Sequence, residues 1–209
     1  MPTVASLHVY PLKGAAGFSV ERWPVDELGL RHDRRFMLVT DDGKFVSQRN
    51  CARLALIRTS IDDEVLKLTC DLGEVKVALP PTSDRRATVV VWDDALEGVF
   101  VSAEADALFS NFLGQSCRLT WMPNDATRLT DLKRGEPRRH VSLADAAPAL
   151  LVAEEALNEL NTRLLACGEL PVTLDRFRGN IIVRGRDSGT DDEWSSIPGP
   201  LRDRASSRE

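Results

Sequence analysis

The chain has 209 residues, 43% of them hydrophobic, and carries 27 lysine and arginine residues against 32 aspartate and glutamate residues, a formal net charge of -5. This length is enough for one large domain or two small ones with a sizeable buried core. The acidic balance argues against a nucleic-acid partner, because a surface that follows phosphates needs clustered excess positive charge, and it leaves small anionic ligands open.

The amino-terminal half predicts many short β-strands separated by turns. Runs rich in β-branched or aromatic residues recur from TVASLHVY to GVFVS, and several of them alternate apolar and polar residues. Asp42-Gly43 and Gly73 mark hairpin turns between such runs. So many strands at close spacing predict a small barrel or sandwich.

Two helices and one more strand are predicted further along. Ser102 is the predicted N-cap of the first helix. In AEEALNELNTRLLACG, the second helix, Leu157, Leu160 and Leu164 form an apolar stripe that we expect to be core. The strand NIIVR follows, and residues 185–209 are so polar that we expect a largely disordered tail.

The cysteines and the amino-terminal residues indicate the cellular compartment of the protein. Cys51, Cys70, Cys117 and Cys167 are scattered without a C-x-x-C pair, which favours small buried thiols over a zinc site or a disulfide framework. The first residues lack a secretory signal, and no apolar run approaches the ~18 residues of a membrane span. We therefore expect a cytoplasmic protein without a membrane partner.

The familiar catalytic motifs are absent. The sequence has no G-x-S-x-G elbow, H-E-x-x-H helix, P-loop or dinucleotide G-x-G-x-x-G. His8 lies in an alternating strand, where a histidine satisfied by its neighbours is expected more often than a general base.

Three stretches place cations at strand ends or turns, where side chains converge on a ligand. They are YPLKGAAG with Lys13, GLRHDRRFMLV with Arg34, and DRFRGNIIV with Arg178 and Asn180. A lysine point charge and planar guanidiniums suit phosphate oxygens. Gly14 would let the backbone approach the same ligand. Together the three stretches predict an anion clamp.

Surface salt bridges are the competing interpretation of each stretch. Asp33 and Asp175 stand beside the arginines as potential partners. A basic run near Arg138 and Arg139 is better explained as a solvated loop, since it lacks aromatic stacking partners.

The order of these motifs resembles a known family. The segment from SLHVYPLKG to LALI is similar to the amino-terminal β-barrel domain that precedes MOSC domains, and LADAAPALLVAEEALNELNTRL with LDRFRGNIIV resembles the first part of a MOSC domain. The family includes the amidoxime-reducing components of mitochondria and bacterial reductases of N-hydroxylated compounds. It is related to the carboxy-terminal region of molybdenum cofactor sulfurases.

The resemblance implies a fold and a domain organisation. The fold is α+β and predominantly β, with a MOSC N-terminal β-barrel over residues 1–122 and an incomplete, barrel-like MOSC domain with helices over 123–184. The polar tail over 185–209 completes the division. The molybdenum pterin cofactor (molybdopterin with its metal) would lie between the two domains.

The resemblance also assigns cofactor-binding residues. Lys13 matches the lysine of the family's Y-P-x-K-S element, and Gly14 stands at its serine. Arg34 matches the arginine of D-R-x-W/F, while Arg178 and Asn180 match those of F-R-P-N. In the family these groups hold the pterin and its phosphate, so all five positions are predicted cofactor contacts. No catalytic residue and no metal ligand is assigned.

Some positions depart from the family pattern. Gly14 stands at a serine of the family pattern, and Gly179 stands at the proline of F-R-P-N. Two further serines are replaced by Ala153 and Ala156, and at Ala153 the loss includes a helix cap worth about 1 kcal/mol. The P-C-x-R-C element, whose thiolate binds molybdenum in the family, is absent. We therefore expect a chain truncated or read out of frame at its carboxyl end, with an exposed sheet edge near 181–183.

The leading hypothesis is a MOSC-type molybdenum cofactor protein, by resemblance an oxidoreductase that reduces a small N-hydroxylated substrate with electrons from a separate protein. Without the thiolate, activity is expected to be impaired, and whether this chain is an enzyme stays open. The alternative is a noncatalytic β-barrel module that binds an anion or pterin, or another protein. A partly unfolded product without activity is a third possibility.

Overall fold

The computed structural model describes residues 2–130 and 138–185. Within these ranges the chain forms thirteen strands and two α-helices, in chain order as follows. The elements are β1 (Thr3–Val9), β2 (Phe18–Val20), β3 (Val25–Asp26), β4 (Gly29–Leu30), β5 (Phe36–Val39), β6 (Arg58–Asp62), β7 (Val65–Cys70), β8 (Gly73–Ala78), β9 (Arg86–Val91), β10 (Asp94–Phe100), α1 (Ala103–Leu113), β11 (Arg118–Trp121), β12 (Leu151–Ala153), α2 (Glu154–Ala166) and β13 (Ile181–Arg184).

The strands form four sheets in the described ranges. Their orders are β12-β13-β1-β2, β5-β11-β10-β9, β6-β7-β8 and β3-β4. Neighbouring strands are antiparallel except β12 and β13, which are parallel and joined through α2. A parallel pair needs such a crossover connection, because a tight turn can join only antiparallel strands. The predicted predominantly β, α+β fold is confirmed.

The larger core lies between α1 and the strands around it. Ser102 caps this helix as predicted, since its side chain accepts a hydrogen bond from the Ala105 N–H at 3.1 Å. Phe109 and Phe112 on α1 are fully buried. They pack with buried residues of β5, β7, β8 and β11, so this helix shares a core with strands of two sheets.

A smaller core ties the later part of the chain to β5 and the β9–β10 hairpin. Leu143 is buried and belongs to the same apolar cluster as Met37, Val39, Val89 and others. Its backbone N–H donates to the Arg34 carbonyl at 2.9 Å. The segment after residue 140 is therefore fixed against the early strands.

The second helix differs from its prediction. Its bounds agree, but it has no buried residue, and Leu157, Leu160 and Leu164 are only half-buried. The expectation that this stripe is core is wrong. The physical reason is that α2 packs on the three-residue strand β12 and the four-residue strand β13, which cover too little of its apolar face.

Two further expectations are corrected. The strand β13 lies between β12 and β1, so Ile181, Ile182 and Val183 do not form a sheet edge; the early strand β1 supplies the missing neighbour. Cys167 follows α2 and is exposed, whereas Cys70 and Cys117 are buried as expected.

The pairing of β1 with β13 joins the first part of the chain to the second in one sheet. The domain boundaries at 122 and 184 stay predictions. The proposed disordered tail lies outside the described residues from position 186 onward. No helix in the described part of the chain has the length and apolar character needed to cross a bilayer.

Candidate functional site

The three predicted cationic stretches meet where β1, the turn before β5 and the turn before β13 come together. We call the side chains of Lys13, Arg34 and Arg178 the cation cluster. The Arg34 guanidinium donates to the Arg178 carbonyl at 2.7 Å, and Leu143 connects Arg34 with Lys13, since its N–H donates to the Arg34 carbonyl and its carbonyl accepts from Lys13. Burial lowers the pKa of Lys13 and of Arg178, and the charge of Arg34 acts in the same direction.

Arg34 is held by protein groups. Its guanidinium contacts the Asp33 carboxylate at 2.5 Å, donates to Asn180 Oδ1 at 2.7 Å and to the Arg178 carbonyl at 2.7 Å. Its other face stacks on the Tyr10 ring at 4.7 Å. Arg34 therefore joins the two turns, and Asp33 is the partner that the salt-bridge interpretation predicted.

Asn180 is 1% exposed, and protein groups fill its side-chain hydrogen bonds. Its Nδ2 donates to the His8 carbonyl and to Asp33, at 3.1 and 3.0 Å. Its Oδ1 accepts from Arg34 and from the Leu150 N–H, at 2.7 and 3.0 Å. An amide has two donors and two acceptor sites, so no side-chain bond is left for a ligand.

Lys13 is also enclosed. Its ammonium donates to the Leu143 carbonyl at 2.8 Å and pairs with Asp145. The rings of Phe45 and Trp92 lie 5.3 and 5.7 Å from Nζ. Burial lowers the pKa of Lys13, and Asp145 opposes that change.

Arg178 is different. Its guanidinium is half-buried and makes no hydrogen bond or ion pair within the described residues. Burial lowers its pKa, and the charge of Arg34 lowers it further, while Asp145 acts to raise it. A half-desolvated cation beside a second cation gains most from an anion.

Both glycines that depart from the family pattern are explained by their surroundings. Gly14 has φ +83°, and a Cβ there would lie 2.5 Å from Leu54 Cδ2. A Cβ on Gly179 would lie 2.7 Å from Val152 Cγ2. The space that a larger residue needs is occupied by Leu54 of the larger core and by the half-buried Val152. The predicted cofactor-contact role of Gly14 stays a prediction.

Sequence reasoning missed three residues of the site. Asp145 pairs with Lys13, and Trp92 Nε1 donates to Asp145 Oδ1 at 3.0 Å. Arg128 is buried and donates to the carbonyls of Ser142 and Ala144, which precede Asp145. No local pattern marks these residues, apart from the bulky Trp92 at a hairpin turn where small polar residues are usual.

A cleft of about 740 Å³ adjoins the cation cluster. Its lining includes Trp92, Asp94, Arg128, Arg138 and Asp145. Asp94 forms an ion pair with Arg128 at 2.7 Å. Asp145 and Trp92 therefore belong both to the cleft and to the surroundings of Lys13.

The remaining predictions concern histidine and cysteine. His8 bonds to Ser6 Oγ at 2.9 Å in strand β1, in agreement with a satisfied sheet residue. Cys51, Cys70 and Cys117 belong to or pack against the larger core, and Cys167 follows α2. No cluster of metal-ligating side chains occurs within residues 2–130 and 138–185.

The fold and site together define a predominantly β protein with a cation cluster between its early strands and a later β-α-β segment. Residues 1–116 match the family described as the MOSC N-terminal beta barrel domain. The chain belongs to this family. The match includes Lys13 and Arg34, whereas Arg178 and Asn180 lie beyond it.

Relatives extend the similarity over most of the chain. Molybdenum cofactor sulfurase of Solanum lycopersicum is 28% identical over 213 residues, spanning 93% of this chain and 26% of that protein. Mitochondrial amidoxime-reducing component 1 of Mus musculus is 30% identical over 207 residues, spanning 93% of this chain and 59% of that protein. Molybdenum cofactor sulfurase of Homo sapiens is 29% identical over 218 residues. The chain therefore spans less than two thirds of these relatives.

Proposed function

We propose that this chain binds the anionic part of a molybdenum pterin cofactor at the cation cluster. The observation that carries the proposal is Arg178, a half-buried guanidinium without a protein partner in the described residues. Arginine offers planar donors that match phosphate oxygens. Arg34 lies beside it, since the Arg34 guanidinium donates to the Arg178 carbonyl at 2.7 Å.

Backbone conformation supports a functional role for this place. Arg34 and Arg178 both have positive φ, at 48° and 51°. Such conformations cost free energy in non-glycine residues and cluster where function requires them. In this chain the two strained turns are joined by the bonds between Arg34 and the Arg178 carbonyl and Asn180.

The cofactor fits the described residues in part. Arg178 would supply donors to a phosphate of the cofactor, with Arg34 and Asn180 holding its turn. Within the described residues, no cysteine is among the hydrogen-bond or ion-pair partners of Lys13, Arg34 or Arg178. We therefore derive no step at the metal. When bound, the cofactor would supply two-electron redox chemistry.

The relatives' names support the wider proposal. We propose that the protein acts as a reductase of small N-hydroxylated compounds, as the name of the amidoxime-reducing relative suggests, with electrons from a separate protein. The second candidate is a noncatalytic anion- or pterin-binding module. It is supported by Arg178, because anion binding needs only the free guanidinium and no metal. Stoichiometric molybdenum in purified protein favours the reductase, and metal-free protein that binds pyrophosphate favours the module.

Removing the unpaired guanidinium tests the binding proposal. Arg178→Ala should weaken the binding of inorganic pyrophosphate about tenfold or more, because a charge-assisted contact is lost. Isothermal titration calorimetry measures the dissociation constant. Arg139→Ala is the matched control, since Arg139 is exposed and outside the cluster. Equal, negligible effects of the two substitutions would rule out the clamp.

A further inference from the structure

The turn between β4 and β5 contacts two other parts of the fold through residues that are adjacent in sequence. The Asp33 carboxylate accepts hydrogen bonds from the Tyr10 N–H at 2.8 Å and from Asn180 Nδ2 at 3.0 Å. His32, directly before it, contacts the turn between β6 and β7, where its Nε2 lies 3.4 Å from Glu64 Oε2. Asp33 therefore connects this turn to the end of β1 and the start of β13, and His32 connects it to the sheet of β6, β7 and β8.

The two turns that meet at this contact have constrained backbones. Asp63 and Glu64 form the two-residue turn between β6 and β7, with φ 44° and 59°, as in tight hairpins. The Glu64 carbonyl also accepts from the Leu79 N–H at 2.8 Å. His32 has φ 66°, a conformation that costs free energy in a non-glycine residue. Neither side of the contact can adjust freely.

The imidazole of His32 lies where a positive charge is poorly compensated. Its side chain is 15% exposed, and its buried Nε2 has no hydrogen-bond partner within the described residues. The Glu64 carboxylate is half-exposed and also pairs with the Arg31 guanidinium at 3.3 Å. Burial lowers the pKa of His32, Glu64 acts to raise it, and the charges of Arg31 and Arg35 act to lower it. A protonated His32 would thus share one partly solvated carboxylate with another cation.

Asp33 is the neighbouring group whose titration could be mistaken for that of His32. Burial raises the pKa of the Asp33 carboxyl, while the charge of Arg34 and the bonds from Arg34, Tyr10 and Asn180 act to lower it. Protonation of Asp33 would weaken its contact with Arg34 and loosen the same turn. A test of His32 therefore has to separate the two groups.

We infer that His32 is a pH-sensitive switch, whose neutral imidazole packs against Glu64 and whose protonation in weak acid breaks this contact and loosens the turn that carries Arg34. The inference goes beyond the proposed function, because it concerns the turn itself, whatever the cation cluster binds. The ordinary pKa of histidine is 6.5, and that of His32 is lowered. The stabilisation by neutral His32 is therefore complete above pH 6.5 and is lost as the pH falls through the lowered pKa.

Amide hydrogen exchange measured by NMR tests the switch. The backbone N–H groups of Asp33 and Arg34 donate to the Leu30 and Tyr10 carbonyls at 2.9 and 2.8 Å, so their exchange reports opening of the turn. Rates are divided by the intrinsic exchange rate at each pH. Both amides should then exchange about threefold to tenfold faster at about pH 5.5 than at about pH 7.5, because a histidine with an ordinary pKa in the open turn takes up the proton first. Amides of α1 should not show this increase.

Three variants identify the titrating group. His32→Gln keeps a polar side chain without a charge change, so the pH dependence of the two turn amides should disappear. Glu64→Gln removes the carboxylate that favours the imidazolium, so the acceleration in acid should become larger, and this variant keeps the test available if His32→Gln fails to fold. His140→Gln is the matched control, since His140 is exposed, and it should leave the acceleration unchanged.

Several results would overturn the switch. Equal acceleration in the unsubstituted protein and in His32→Gln assigns the pH dependence to Asp33. Exchange that is unchanged or slower in acid shows that protonated His32 keeps or strengthens its contact with Glu64. Equal acceleration of the α1 amides shows a global loss of stability in place of a local opening. None of these measurements uses a ligand, so the failure of pyrophosphate binding and the failure of the switch are distinguishable.

Discussion

At the residue scale, the three cations predicted to contact a ligand differ in whether a protein carboxylate already pairs with them. Lys13 and Arg34 are matched by Asp145 and Asp33, whereas Arg178 has no partner in the described residues. Removing a cation from water costs free energy unless an opposite charge compensates it. Lys13 and Arg34 therefore have counter-ions within the protein, and Arg178 is available to a ligand.

The buried amide of Asn180 should be important for stability. Asn180→Ala is expected to lower the free energy of unfolding by roughly 3 kcal/mol, because it leaves several buried groups without partners. Urea denaturation followed by circular dichroism measures the change. Asn158→Ala, on the exposed side of α2, should change stability by less than about 0.5 kcal/mol. Similar values for both variants would contradict the structural role of Asn180.

Tight turns position the site at the scale of elements. The turn between β4 and β5 carries Asp33 and Arg34, and the turn before β13 carries Arg178, with positive φ at both arginines. The β9–β10 turn carries Trp92 in the same region of backbone conformation. These turns adjoin strands of the sheets. The positions of the strands therefore determine where the cations and Asp145 come together.

The turn after β1 gives a test of close packing. Gly14→Ala should cost about 1–3 kcal/mol more stability than Gly114→Ala, because only the first places a Cβ against Leu54. Both glycines have positive φ, at +83° and +69°, and nothing lies within 4 Å of a Cβ on Gly114. Thermal and urea unfolding provide the comparison. Equal losses would show that backbone conformation alone requires Gly14.

One sheet connects the two parts of the chain at the scale of the whole molecule. Strand β13 pairs with β1 and β12, and Asn180 directly before it bonds to the His8 carbonyl. The smaller core adds Leu143 to the early strands. The early strands and the segment after residue 138 therefore share one sheet and one apolar core. We expect the two parts to unfold together.

Truncation of a central residue of this sheet tests that coupling. Ile182→Ala should lower stability by about 3 kcal/mol, the usual cost of truncating a buried isoleucine, within a single unfolding transition. Ile182 is 1% exposed, whereas its neighbour Ile181 is half-buried, so Ile181→Ala should cost less. Limited proteolysis should show no early loss of residues 138–185. Preferential cleavage there, with the early strands resistant, would contradict coupled folding.

The sequence by itself determined the class of fold and the principal cations. Alternating strands, the Ser102 cap and the glycine turns are local signals, because they depend on backbone preferences and on the two faces of a strand. Motif order identified the family, which the match over residues 1–116 confirms. Arg34 and Arg178 were visible because arginines at strand ends are local features too.

Only the tertiary structure decided which groups are already paired. Asp145 lies 132 residues from Lys13 in the sequence and Asn180 lies 146 from Arg34, so no local pattern connects them. The same holds for β13, whose neighbour β1 comes from the start of the chain. Charge compensation and sheet pairing depend on distance in space, and this is why the sequence showed the cations and the structure showed that Arg178 is the one left for a ligand.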